Sequence, residues 1–125
     1  MNAGRILVSF AVCCLILTGL CLMNPLKAQT NSITLTAKLT IKAGKEKEFE
    51  TLMKGIVPKV RQEPGNRAYT MCRSKENPRV FMFFEEYADK AAIQAHGQHF
   101  KELGIDLSAY LDGSVVAEYY DKIAD

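Results

Sequence analysis

ITLTAKLTIK, residues 33–42, is the stretch from which the fold is read. Ile33, Leu35, Ala37, Leu39 and Ile41 alternate with Thr34, Thr36, Lys38 and Thr40. A period of two with many β-branched residues is a strand with one face buried. Ala43-Gly44 ends it. Downstream the period changes: Phe49, Leu52, Met53, Ile56, Val57 and Val60 fall on one helical stripe. The spacing predicts a helix over residues 45–62, kinked or shifted in its last turn by Pro58 and stopped by Glu63-Pro64-Gly65.

Two further strands flank the turn-forming run Ser74-Lys75-Glu76-Asn77-Pro78 and read as a hairpin: residues 67–73 (RAYTMCR) and 79–87 (RVFMFFEEY). On the second, Phe81, Phe83, Glu85 and Tyr87 share one face. Asp89 is the expected N-cap of a second helical region. There Ile93, His96, Phe100, Leu103 and Leu107 form an apolar stripe, and Gly97 and Gly104 predict two short helices with a bend. Asp112-Gly113 closes the region, and residues 114–120 (SVVAEYY) are the last strand. The order β-α-β-β-α-β predicts a ferredoxin-like α+β fold, a four-stranded antiparallel sheet with both helices on one face. The other face needs a cover, and a homodimer supplies it most simply.

Working towards the N-terminus, residues 1–28 hold Arg5, Lys27, no acid, and the apolar run of residues 6–23. This is the layout of a secretory signal peptide, with Leu26 and Ala28 before a cleavage point at Gln29. Left uncleaved, the same run is a membrane anchor. Either way the domain, residues 29–125, is expected outside the cytoplasm, touching membrane only through this leader. Leu20 before Cys21 does not suit lipidation. The leader takes two of the 16 basic residues and none of the 14 acids. The remainder is therefore neutral, and no nucleic-acid partner is implied. Of four cysteines, only Cys72 lies beyond the leader, so no internal disulfide forms there.

The chemistry-bearing residues are few. His96 and His99 can share a helical face, but with no third histidine and a lone Cys72 the ligand count for a metal is short, and none is expected. Cys72 sits mid-strand without a neighbouring base, and no glycine-rich phosphate loop occurs. Acid/base chemistry in an apolar pocket remains. On an ideal helix His96 lies at the centre of the buried stripe, with His99 about 60° to one side. Glu85 meets His96 and tunes it as a base, or it faces solvent while His96 merely packs; spacing leaves both open.

In their order and separations, Glu63-Pro64-Gly65-Asn66, Tyr69, Pro78, Phe81, Glu85, Tyr87, Asp89, Ala92, His96 and His99-Phe100 resemble the antibiotic biosynthesis monooxygenase (ABM) domain family, including its quinol monooxygenase and autoinducer-2-degrading branches. The resemblance covers nearly all of the chain beyond the leader. It implies a dimeric α/β-barrel and oxidation of a small quinol or phenol by molecular oxygen with no cofactor. By the same resemblance His96 is the base, Glu85 its orienter and Tyr69 a pocket residue; Phe81, Phe83, His99 and Phe100 are expected with Tyr69 around the substrate. The histidines stand closer together here than in the family, so either the bend at Gly97 is tightened or His99 leaves its usual place. The absence of tryptophan speaks against the haem-degrading branch. Two other readings fit the same residues: an isomerase or tautomerase of a small carbonyl compound, and a non-catalytic ligand-binding or stress-response module.

Overall fold

The computed structural model describes residues 32–124; the leader and its cleavage point lie outside the described residues. Four strands, β1 (Ile33–Thr40), β2 (Asn66–Arg73), β3 (Val80–Tyr87) and β4 (Val116–Tyr120), form one sheet in the order β2-β3-β1-β4. All three pairings are antiparallel. Helices α1 (Glu46–Val60) and α2 (Lys90–Glu102) complete the expected ferredoxin-like order.

The alternation of ITLTAKLTIK appears as two unlike faces. Leu35 and Leu39 are buried beneath the helices with Phe81, Phe83 and Tyr87 of β3 and Tyr69 of β2. From α1, Phe49, Met53, Ile56 and Val60 close onto them at helical spacing. Phe49 and Phe81 meet edge to face at 5.0 Å. The opposite face carries Thr34, Thr36 and Lys38 of β1, and its apolar members Phe84, Val116 and Tyr120 are 36%, 50% and 48% exposed.

Pro58 does not break α1. It sits in the last turn, where the lost N–H costs one bond, and the chain then tightens: Gln62 N–H donates to the Lys59 carbonyl (3.1 Å) and Glu63 N–H to that of Val60 (3.0 Å). Asp89 caps α2, its carboxylate accepting from Ala92 N–H at 2.9 Å. The bend expected at Gly97 is absent. α2 runs through Gly97, which keeps a negative φ, and it is Gly104, at φ 67°, that ends the helical region. The second helix reduces to a 3-10 turn, Leu107–Ala109.

Candidate functional site

Glu63-Pro64-Gly65-Asn66 is a tight turn closed by Asn66 N–H to the Glu63 carbonyl (3.1 Å), with Gly65 at φ 82°. Proline second and a positive-φ glycine third are the demands of a type II turn. Gly65 is needed twice over, because a Cβ there would stand 2.6 Å from the Ala92 Cβ of α2. The turn is pinned on both sides. The Gly65 carbonyl accepts from Ala88 N–H at 2.7 Å, and Arg61 donates its Nε–H to the Tyr69 carbonyl at 2.9 Å. This close approach puts the Glu63 side chain against α2.

There the Glu63 carboxylate is held between the two histidines. Oε2 lies 2.9 Å from His96 Nδ1, and Oε1 lies 2.6 Å from His99 Nδ1. The Glu63 side chain is 7% exposed, that of His96 16% and that of His99 31%. A carboxylate accepts, so Nδ1 of each ring is the donor. Among the described residues no hydrogen bond engages Nε2 of His96, which leaves it for the cavity that the ring lines.

That cavity, about 340 Å³, lies between the sheet and α2. Tyr69, Phe83, Glu85, His96 and Phe100 line it together, over a floor that includes Leu35 and Phe49. The His96 ring stands 5.5 Å from Tyr69, 5.4 Å from Tyr87 and 4.7 Å from Phe100. Val115 and Tyr119, the latter 66% exposed, mark its mouth beside β4. Phe81 is outside the lining, in the core behind Phe49. His99 is outside as well, on a surface groove with Lys59, Gln62, Pro64 and Glu102.

Glu85 shares the cavity with His96 but does not hold its ring; Glu63 does. The expected orienter is therefore replaced by a residue of the turn. Glu85 is buried and accepts the Tyr87 hydroxyl at 2.8 Å. Burial pushes its carboxyl above the ordinary range, against the Tyr87 bond and nearby His96, which both favour the ionised form. Burial first, and then the Glu85 charge, keep the Tyr69 and Tyr87 hydroxyls protonated far past neutral pH. The cavity thus holds an imidazole with Nε2 unengaged and a carboxyl that burial pushes towards its neutral form. Among the described residues no three His, Cys, Asp or Glu side chains are grouped to hold a metal ion.

Sequence reading missed Glu63 as a site residue because it lies 33 positions from His96. Its one signal was the turn motif that contains it.

The family model described as antibiotic biosynthesis monooxygenase matches residues 32–102. A provisionally named antibiotic biosynthesis monooxygenase of Caulobacter crescentus is 32% identical, with a TM-score of 0.66 over 74% of this chain and 91% of that one. A Pseudomonas aeruginosa protein shares the fold at TM-score 0.67 and 24% identity, over 74% of this chain and 95% of its own. An uncharacterized Synechocystis protein is 27% identical over 77 residues, 62% of this chain and 52% of that protein. The chain therefore spans about half the length of this curated relative.

Proposed function

Because the chain belongs to the antibiotic biosynthesis monooxygenase family, we propose that it oxidises a small phenol or quinol with molecular oxygen, using no bound cofactor. The observation that carries this reading is the His96 ring, held at Nδ1 by Glu63 and standing in an aromatic cavity beside buried Glu85. His96 Nε2 takes the phenolic proton, and the electron-rich anion reduces oxygen directly. The substrate supplies every electron that oxygen accepts: one oxygen atom ends on the ring carbon and the other leaves as water. Tyr69, Phe83 and Phe100 give the substrate apolar walls.

Oxygen uptake with a panel of hydroquinones tests it. Uptake is expected to fall at least about a hundredfold in His96→Ala; wild-type uptake no greater than that of the variant sinks the reading. A second reading draws on Glu85. A carboxyl biased towards neutrality beside a free base is also the pair that a proton shift in a small carbonyl compound needs. Turnover that persists without oxygen favours that isomerase.

Two further parts of the proposal concern the assembly. Exposed Phe84, Val116 and Tyr120 on the bare sheet face support a homodimer, and residues 1–28 support export. The protein is expected in the envelope or medium fraction, sedimenting as a dimer. A cytosolic location removes the second part, and a monomer at micromolar concentration removes the first.

A further inference from the structure

One carboxylate serves two imidazoles that belong to different surroundings. His96 lines the cavity, whereas His99 lines the surface groove of about 390 Å³ and is nearly twice as exposed. With both rings neutral, each donates Nδ1–H to Glu63 and keeps a lone pair on Nε2. A proton arriving at either Nε2 makes an imidazolium, which the single negative charge of Glu63 balances. A second proton finds that charge already neutralised. Binding of the two protons is therefore mutually unfavourable, and each site feels the other equally. His99 is the ring nearer water, where a charged imidazolium loses less hydration.

We propose that His99 shields the cavity base from bulk acid: it takes the first proton from solvent and, through the shared Glu63 carboxylate, weakens the hold of His96 on a proton of its own. Neither histidine needs to touch the other for this, and His99 need not contact substrate. Other charged or titratable groups face the trio from each packed element. Lys59 of α1 and Glu102 of α2 border the groove with opposite charges. On the cavity side stand Tyr69 of β2 and Tyr87 of β3, both neutral, and Glu85 of β3. Burial raises the Glu85 carboxyl above its ordinary range on the cavity side of His96, so its Gln variant provides the control.

The chain has two histidines, so an NMR titration of the full chain reads both imidazoles individually. In His99→Gln, the pH midpoint of the His96 resonance is expected to rise by about one unit, because Glu63 now serves His96 alone. The same rise is expected in the Glu85→Gln background. A midpoint that stays or falls on removing His99 overturns the proposal, as does a rise that vanishes when Glu85 is Gln. Imidazole nitrogen shifts add a second reading: both rings should carry the proton on Nδ1 when neutral, and Nε2–H on either ring is an overturning result. The role of a free base rests on the catalytic reading above, but the titration needs no substrate. Coupled titration in an inert protein would sink that reading alone; uncoupled titration in an active one would sink only this proposal.

Discussion

Glu63 and Glu85 approach the same imidazole from different parts of the molecule, and their surroundings make them unlike. Glu63 comes from a tight turn and is met by two ring nitrogens at 2.9 and 2.6 Å. Glu85 comes from the middle of the sheet and is met by one hydroxyl within an apolar wall. The first has a donor for each oxygen. The second is pushed by burial towards its neutral form. The same side chain thus accepts from two rings in one place and is pressed by burial in the other, and the number of donors around it makes the difference.

The turn is where this contrast breaks most easily. Gly65→Ala forces a methyl into a positive-φ position and against Ala92. The backbone penalty of about 1–2 kcal/mol and overpacking of about 1–3 kcal/mol predict a loss of roughly 2–5 kcal/mol in denaturant unfolding. Glu63 should leave both histidines along with it, so activity falls even in the molecules that stay folded. A loss below about 1 kcal/mol would mean that the turn is not held against α2 as described.

Glu85→Gln sharpens the comparison from the other side. Because burial raises its folded-state value, the stability that Glu85 contributes is complete below the ordinary glutamate range. It is lost as pH rises through the raised value. The Gln variant should lack that decline, so its advantage in melting temperature over wild type grows with pH. Gln still accepts from the Tyr87 hydroxyl but donates no proton, and activity should drop about a hundredfold. If stability of wild type and variant ran parallel across pH, burial would not be raising the Glu85 carboxyl.

Gly97→Ala has the smallest expected effect and touches neither carboxylate. Gly97 lies in regular helix, and an added Cβ meets no atom within 4 Å. Less freedom in the unfolded chain should raise stability by about 0.4–1 kcal/mol. The same methyl enters the cavity lining, so KM for the larger substrates should rise. Destabilisation would show that α2 is strained at this point.

Much of the architecture was legible in residues. Alternation in residues 33–42, the apolar stripe from Phe49 to Val60 and the Asp89 cap each report on neighbours within a few positions. The strands and helices they predicted stand within two or three residues of the observed bounds. Gly97 misled because glycine weakens a helix without forbidding it: α2 packs by Ala92 and Ile93 on one side and Phe100 on the other, and tertiary contact overrides the propensity.

The site divides in the same way. The sequence by itself determined that His96 sits on a buried stripe and that β3 presents Phe83, Glu85 and Tyr87 on one face, since both follow from period alone. Only the tertiary structure decided that Phe81 lies behind the cavity, that His99 faces the surface groove, and that Glu63 rather than Glu85 holds the His96 ring. Those pairings span 33 and 36 residues for Glu63. They depend on how closely a glycine turn lets one end of α1 approach α2, a distance between elements that no periodicity within an element encodes.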